Sequence, residues 1–252
     1  MPATARPDCA IVIPARFASS RFPGKPLADI LGKPMIRHVW ERCIATTSAE
    51  HVYVATDDPR IKTVCEGFGA RVLMTSPDCL TGTDRVAEAA LGLDYDFLVN
   101  VQGDEPILDP ADIIAVVGAY RRYGGAVVNA MTAIRDERDY WSRHVPKVVA
   151  THDARLLYMS RAAIPANKGG VFEKAWKQVC IYCFSPAQLA AYTAVSAKGA
   201  IERIEDIEIL RFLDLGIEVR MVELDSASIA VDTPEDLERV RSLFDDLETK
   251  RG

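Results

Sequence analysis

The sequence predicts an α/β fold: a mostly parallel sheet with helices on both faces and a strand-rich mixed-sheet insertion. Three observations predict it. Apolar, β-branched runs alternate with helix-like segments through the first half of the 252 residues, an order typical of parallel sheets. After about residue 125, strand-like runs follow one another across longer irregular connections. Apolar residues form 49% of the chain, which is enough for a sizeable core.

The individual elements follow from apolar periodicity and from residues that start or stop helices. The predicted strands are 9–14, 51–56, 70–74, 96–101, 126–134, 147–150, 156–160, 178–184 and 217–223, and the predicted helices are 34–44, 59–68, 84–91, 111–123, 201–215 and one from 234 onward. Pro34 suits a first helical turn. Thr233 is a good N-cap for the last helix, and Asp236 can reach back to it.

This order of elements predicts a single domain, 1–252, with three segments. Residues 1–125 begin the core, residues 126–200 form an inserted subdomain and residues 201–252 return to the core. We find no internal repeats and no low-complexity linker in the sequence.

Composition excludes several classes of function. The net charge of −6 argues against nonspecific nucleic-acid binding. No apolar run approaches the roughly 20 residues that span a bilayer, and the first residues lack an apolar signal core. We therefore expect a soluble, cytoplasmic protein without membrane insertion. The Cys180/Cys183 pair stands alone, whereas a zinc site would need a second pair at ligand spacing.

The loop after the first strand carries a cluster of cations. The strand stops at Pro14, and the small-residue loop that follows contains Arg16, Arg21 and Lys25. Ligands of open α/β sheets bind at the carboxyl ends of strands, and these cations suit a polyphosphate there. A merely solvated basic loop is the alternative. The loop is not a Walker A motif, because Pro26 stands where that motif has Ser or Thr.

Two aspartates lie at the ends of distant apolar strands. Asp104 follows the strand 96–101, and Asp232 follows an apolar run just before the last helix. If the two carboxylates converge, they suit one Mg²⁺ ion, which prefers oxygen ligands completed by phosphates and water. The alternatives are a turn-forming Asp104 and a helix-capping Asp232, although Thr233 is the better cap.

A third loop precedes the helix 84–91. Gly82 allows close backbone approach, Thr75 and Thr83 offer hydroxyls, and the helix N-terminus favours anions. The alternative is an ordinary capped helix start with Thr83 as the N-cap.

Together these motifs resemble the CMP-Kdo synthetase family (3-deoxy-manno-octulosonate, or Kdo, cytidylyltransferases) over nearly the whole chain. The motifs are Pro14-Ala15-Arg16, Arg21-Phe22-Pro23-Gly24-Lys25-Pro26-Leu27, Gly32-Lys33-Pro34-Met35-Ile36, Ala55-Thr56-Asp57, Gly82-Thr83-Asp84-Arg85, Asn100-Val101-Gln102-Gly103-Asp104-Glu105-Pro106 and Val231-Asp232-Thr233-Pro234-Glu235-Asp236-Leu237. The resemblance implies a Rossmann-like nucleotidyltransferase fold, a homodimer, and transfer of CMP from CTP to Kdo with release of pyrophosphate, for lipopolysaccharide or capsule synthesis.

The resemblance also implies roles for particular residues. It makes Arg16, Lys25, Asp104 and Asp232 the catalytic group, with Mg²⁺ held by the two aspartates. The implied nucleotide-binding residues, all within the first 125 positions, are Pro14, Ala15, Arg16, Lys25, Thr75, Gly82, Thr83, Arg85 and Gln102. The implied acceptor-binding residues are Arg161, Gln178, Tyr182 and Glu208, in or near the inserted subdomain 126–200, which is also the implied dimerisation subdomain.

The acceptor side departs from the family pattern at two positions. Gln178 replaces a His that lies four residues before Tyr182, and Ile209 replaces a Gln that follows Glu208. Two alternatives to a Kdo-specific enzyme therefore stay open. One is a CTP-dependent cytidylyltransferase that uses another acceptor, such as an amino-modified sugar acid or a phosphonate. The other is a non-catalytic CTP-binding module, which has less need of two metal carboxylates.

Overall fold

The computed structural model describes residues 8–19 and 22–249. Its strands are β1 Cys9–Ala15, β2 Asp29–Ile30, β3 Lys33–Pro34, β4 Val52–Thr56, β5 Arg71–Met74, β6 Phe97–Val101, β7 Val127–Ala133, β8 Lys147–Ala150, β9 Leu156–Ser160, β10 Trp176–Phe184 and β11 Val219–Leu224. Its helices are α1 Met35–Ile44, α2 Pro59–Gly67, α3 Gly82–Ala90, α4 Pro110–Tyr123, α5 Glu137–Trp141, α6 Pro186–Thr193, α7 Ala200–Glu205, α8 Leu210–Asp214 and α9 Pro234–Thr249. None of the described helices has the length and apolarity needed to cross a membrane.

The chain divides into two compact units. The first unit contains Met1–Pro110 and Ala227–Gly252, and the second contains Ala111–Ser226. The predicted return to the core, 201–252, is therefore split, because its first 26 positions, through Ser226, cluster with the second unit.

The first unit contains four parallel strands in the order β6-β1-β4-β5. These strands are apolar because they are covered, and β1, β4 and β6 are buried along almost their whole length. Pro14 in β1 pairs with Ala55 in β4, and Val12 pairs with Asn100 in β6. The carboxyl ends of these strands consequently share one edge of the sheet, as the sequence predicts.

Helix α9 completes the core of the first unit. Its apolar stripe packs with a hairpin strand and the start of α1 in one cluster of Ile30, Met35, Val231, Leu237, Val240 and Phe244. That stripe has helical spacing in the sequence, and burying it holds the segment before α9 in place. Pro34 is the N-cap of α1 rather than a residue of its first turn, because it pairs with Asp29 in the short β2–β3 hairpin.

The second unit contains the mixed sheet that the sequence predicts. Strand β7 pairs in parallel with β11 and antiparallel with β10, while β8 pairs antiparallel with β10 and β9. The predicted bounds of β8 and β9 are those observed. The register of β10 against β7 shifts between Val179 and Tyr182, so β10 carries a bulge.

The prediction of one continuous helix over 201–215 is wrong, because two short helices, α7 and α8, occupy this range. Asp206 adopts a left-handed conformation with φ of 52°, which ends α7 and separates it from α8. The sequence analysis also missed α6, although Ser185 and Gln188 form a reciprocal capping box at its start.

Candidate active site

The site begins where β1 and β6 end in the first unit. Pro14 and Ala15 are the last residues of β1, and Ala15 is buried. A Cβ at Gly103, just after β6, would lie 3.0 Å from the carbonyl oxygen of Pro14, so a larger residue there would need the neighbouring backbone to shift by a few tenths of an ångström. The two strand ends are therefore held side by side at the sheet edge.

The basic loop after β1 folds back on itself. The Gly24 amide donates to the Phe17 carbonyl over 2.9 Å, and Gly24 has a left-handed φ of 72°. Arg16 is exposed at the start of this loop, and Lys25 begins a single 3-10 turn at its end. Arg21 lies outside the described residues. The loop thus presents Arg16 to solvent and directs Lys25 inward.

Lys25 bridges the two predicted metal ligands. Its Nζ lies 2.7 Å from Oδ2 of Asp104 and 3.2 Å from Oδ1 of Asp232. Burial works to lower the pKa of Lys25, but the charges of Asp104 and Asp232 outweigh it and raise the pKa above its ordinary value. The cluster thus places the Lys25 amine between two carboxyl groups.

A backbone hydrogen bond brings the two carboxylates together. The Val231 amide donates to the Asp104 carbonyl over 2.8 Å, which ties the segment before α9 to the end of β6. The capping of α9 uses other residues: Asp236 Oδ2 accepts from the amides of Asp232 and Thr233, and Thr233 Oγ1 accepts from the Asp236 amide. The capping alternative for the Asp232 side chain is therefore wrong, because Thr233 caps this helix.

The donor set of this cluster is suited to a divalent cation. Asp104 and Asp232 offer carboxylate oxygens, which Mg²⁺ prefers, and both already converge on one cation in the form of the Lys25 ammonium. Their side chains are 25% and 34% exposed, so water and phosphate oxygens can complete a coordination shell.

Gly82 and Gln102 are in close contact with each other in the first unit. A Cβ at Gly82 would lie 2.7 Å from Nε2 of Gln102. Any larger residue at position 82 would push the Gln102 amide away, so the two predicted nucleotide-binding residues depend on each other. Gln102 itself is half-buried.

The other residues predicted to bind the nucleotide near α3, Thr75, Thr83 and Arg85, are buried behind the loop. Arg85 is 3% exposed, and its guanidinium lies 3.2 Å from Oδ1 of Asp57 and donates to Thr75 Oγ1. Thr83 is 1% exposed. The N-cap of α3 is Thr81, whose hydroxyl accepts from the Asp84 amide over 3.1 Å, so the alternative with Thr83 as the cap is wrong. The nucleotide-binding roles of Thr75, Thr83 and Arg85 stay predictions.

The predicted acceptor residues all belong to the second unit. Gln178 Nε2 donates to Oδ1 of Asn129 over 3.0 Å and to the Tyr182 hydroxyl over 3.1 Å. Asn129, at 0% exposure in β7, donates through Nδ2 to the carbonyls of Val179 and Ile181. It thereby ties β7 to the backbone of β10 where the register shifts.

This network fixes the orientation of both amides. Asn129 Nδ2 must be the donor because two carbonyl oxygens face it, so its Oδ1 must accept, and Gln178 must present its NH₂ group to it. Both Nε2 hydrogens of Gln178 are then used within the protein, and its carbonyl oxygen, which has no hydrogen-bond partner among the described residues, is available to a ligand. The sequence analysis missed Asn129, although an Asn inside the apolar run of β7 was a visible signal.

Arg161 is held by the end of α7. Its Nε donates to the Glu205 carbonyl over 2.5 Å and its Nη2 to the Asp206 carbonyl over 2.8 Å. Glu205 in turn accepts from the Arg161 amide and the Ser160 hydroxyl. Burial works to raise the pKa of Glu205, but these hydrogen bonds outweigh it and hold the pKa below its ordinary value. The predicted role of Arg161 toward an acceptor carboxylate stays a prediction.

The other position that departs from the family pattern is not accessible. Ile209 is 0% exposed in the core at the start of α8, while its neighbour Glu208 is half-buried. Arg211 is also buried, and its guanidinium binds Glu202 through two hydrogen bonds of 2.7 and 2.8 Å. Ile209 therefore acts on any ligand only through packing.

The matching family model and the relatives at 42–44% identity are all cytidylyltransferases, with two different acceptors among the relatives. The family model described as cytidylyltransferase matches residues 10–219. The chain is 44% identical over 237 residues to the 3-deoxy-manno-octulosonate cytidylyltransferase of Myxococcus xanthus (strain DK1622), covering 92% of this chain and 95% of that protein. It is 42% identical over 236 residues to the 8-amino-3,8-dideoxy-manno-octulosonate cytidylyltransferase of Shewanella oneidensis, covering 91% and 95% respectively.

A solved structure agrees with these sequences. A CMP:2-keto-3-deoxy-manno-octonic acid synthetase complexed with CTP superposes with a TM-score of 0.87 at 37% identity, covering 95% of this chain and 99% of that one.

Proposed function

The chain belongs to the cytidylyltransferase family, and we propose that it transfers CMP from CTP to 3-deoxy-manno-octulosonate and releases pyrophosphate. The observation that supports this most directly is the convergence of Asp104 and Asp232 on one cation at the sheet edge. The Myxococcus xanthus relative, at 44% identity over 92% of this chain, supports the choice of acceptor.

The chemistry needs positioning and charge neutralisation more than covalent participation by the protein. The anomeric hydroxyl oxygen of the sugar acid forms a bond to the α-phosphorus of CTP. The bond from that phosphorus to the oxygen between the α- and β-phosphates breaks, so that this oxygen leaves with pyrophosphate. The proton of the attacking hydroxyl passes to water. In the proposed roles, Arg16 and Lys25 bind the phosphates, and Gln102 lies against the nucleotide with Gly82 allowing its approach. The residues proposed for the acceptor are Arg161, Gln178, Tyr182 and Glu208.

Asp104 and Asp232 are the residues that would hold Mg²⁺. When bound, the ion would neutralise developing negative charge and lower the pKa of a coordinated hydroxyl.

Pyrophosphate release tests this proposal. The purified chain with Mg²⁺ is given CTP, ATP, GTP or UTP, each with and without Kdo. We expect release only with CTP and Kdo together. CTP binding without release on any acidic sugar would instead support the non-catalytic CTP-binding module and contradict the proposed activity.

A second candidate is the same reaction on an amino-modified sugar acid. Gln178 offers its carbonyl oxygen to a ligand, because its NH₂ group is used by Asn129 and Tyr182. A carbonyl oxygen accepts from an ammonium group, whereas a protonated imidazole in that place would repel one. The 42% identity to the Shewanella oneidensis enzyme is in keeping with this candidate.

Competition between the two acceptors separates the candidates. The kcat/KM for Kdo and for 8-amino-3,8-dideoxy-manno-octulosonate are measured at saturating CTP. A preference for Kdo supports the first candidate, and a preference for the amino sugar supports the second.

A homodimer also belongs to the proposal, because the resemblance implies it, and so does a cytoplasmic location, which was expected from the composition of the sequence. Light scattering on the eluting peak of a size-exclusion column would measure the mass, and a monomer at all concentrations would contradict the dimer.

A further inference from the structure

The Lys25 ammonium lies at the point where the two proposed metal ligands converge. It contacts Asp104 at 2.7 Å and Asp232 at 3.2 Å, and the Lys25 side chain is only 15% exposed. One positive charge is thus shared by two carboxylates, which leaves these three groups with a net charge of −1. An ammonium in this position partly neutralises the two carboxylate charges, as a bound metal ion would.

The ammonium and a divalent cation cannot both hold this position. Each needs carboxylate oxygens of Asp104 and Asp232, and one oxygen of each, Oδ2 of Asp104 and Oδ1 of Asp232, now contacts Nζ. A divalent cation on the same carboxylates would also lie within a few ångströms of the ammonium, and like charges at that distance repel strongly in a partly buried site. The Lys25 side chain must therefore move away when the cation binds.

A triphosphate can compete with the two aspartates for the Lys25 ammonium. Lys25 follows directly on the basic loop that presents Arg16, so phosphates bound at that loop are within reach of its flexible four-carbon side chain. Phosphate oxygens replace the hydrogen bonds that the ammonium loses, and they also add ligands for the cation.

We propose that Lys25 is the resident counter-ion of Asp104 and Asp232, and that it couples divalent-cation binding to nucleotide binding. Without nucleotide, Lys25 blocks the cation; with a triphosphate bound, Lys25 pairs with the phosphates and the carboxylates become available. The inference rests on the proposed function only in the identity of the nucleotide, and it is tested by binding rather than by turnover.

Metal binding without nucleotide is the first test. Mn²⁺ binding to the full chain is measured from the loss of the free-ion electron paramagnetic resonance signal, for the wild type and for Lys25→Met. We expect Lys25→Met to bind Mn²⁺ at least about tenfold more tightly, the lower end of what close charge pairs contribute. Equal or weaker binding by the folded variant would overturn the proposal.

Lys177→Met is the matched control. Lys177 pairs with Asp139 at 2.8 Å, and the side chains are 24% and 28% exposed, close to the values in the Lys25 cluster. Removing this ammonium should leave Mn²⁺ affinity unchanged, and a gain equal to that of Lys25→Met would overturn the proposal, because only net charge would then matter. Circular dichroism melting shows whether each variant is folded. If Lys25→Met does not fold, Lys25→Gln replaces it, since an amide still donates to the carboxylates without a charge.

Nucleotide binding without metal is the reciprocal test. CTP affinity is measured by calorimetry in excess EDTA for the wild type, Asp104→Asn, Lys25→Met and the double variant. If Asp104 restrains Lys25, the single variant Asp104→Asn should bind CTP several-fold more tightly than the wild type. The double variant should gain much less relative to Lys25→Met alone. The same gain in both backgrounds would show that the Asp104 charge simply repels the nucleotide, which would overturn the coupling. Failure of the proposed function, by contrast, would appear as an absence of pyrophosphate release.

Discussion

This protein contains two ionic clusters of similar groups, one partly exposed around Lys25 and one buried between Arg211 and Glu202. In the first unit, Lys25 contacts two carboxylates that are 25% and 34% exposed. In the second unit, Arg211 and Glu202 are 1% and 0% exposed and bind each other through two hydrogen bonds. The Glu202 carboxylate also accepts from the Gly199 amide, and the Arg211 guanidinium stacks on the Tyr192 ring at 3.8 Å.

The two clusters differ in whether their cation can be replaced by another cation. The charged groups of the buried pair make their hydrogen bonds within the protein, so exchange for an outside ion would cost those bonds. The pair therefore fixes α7 against α8. The Lys25 cluster is partly open to water and holds an excess of negative charge, so a stronger cation can compete for it. Burial, more than the identity of the charges, separates a structural ion pair from an exchangeable one.

Breaking the buried pair should have the largest effect. Arg211→Met leaves Glu202 charged and without its cation at 0% exposure, which should lower the free energy of unfolding by about 3–5 kcal/mol. Urea denaturation followed by circular dichroism measures this. Arg211→Met combined with Glu202→Leu should recover some of the loss, and a single variant as stable as the wild type would contradict the structural role.

Removing one carboxylate of the open cluster should act on turnover instead. Asp104→Asn should reduce kcat by about 10²–10³-fold, the range for losing one electrostatic contact in a transition state. The free energy of unfolding should change little, because the side chain is partly exposed. Pyrophosphate release and urea denaturation of the same preparation measure both quantities. Near-normal turnover in Asp104→Asn and Asp232→Asn would contradict the metal site.

The acceptor network should give a smaller and more specific effect. Gln178→His removes the NH₂ group that contacts Asn129 and Tyr182 and supplies the imidazole of the family pattern. We expect the ratio of kcat/KM for Kdo to that for the amino sugar to rise about tenfold, with the KM for CTP unchanged. An unchanged ratio would show that position 178 does not select the acceptor. Ile209→Gln is a poor companion change, because it would bury an amide in the core.

The pH dependence of the second unit should show the smallest effect. The folded pKa of Glu205 is lowered, so its contribution to stability is complete above its unfolded pKa of about 4.3 and is lost as pH falls through the lower folded value. Glu205→Gln should therefore be less stable than the wild type at pH 7, and the difference should shrink as pH drops below about 4. Thermal melting at several pH values measures this; a constant difference would contradict it.

The sequence predicted the parallel core and the meeting of Asp104 and Asp232 because both depend on strand ends sharing one edge. It did not predict that Lys25 pairs with these aspartates, since a cation on a loop can serve phosphates or carboxylates and spacing does not distinguish them. The N-cap of α3 was misplaced because Thr81 and Thr83 are chemically equivalent, and only the backbone decides between them. The helix break at Asp206 was missed because the spacing of apolar residues does not show that an Asp adopts a left-handed backbone conformation.

The hydrogen bond from the Val231 amide to the Asp104 carbonyl joins residues that are far apart in the chain. During synthesis on the ribosome, the second carboxylate is added only after the whole segment between the two aspartates has been made. A nascent chain can form the basic loop and the first carboxylate, yet it lacks the partner that completes the cation site. The cation site is thus assembled only after the 127 residues between Asp104 and Asp232 have been synthesised.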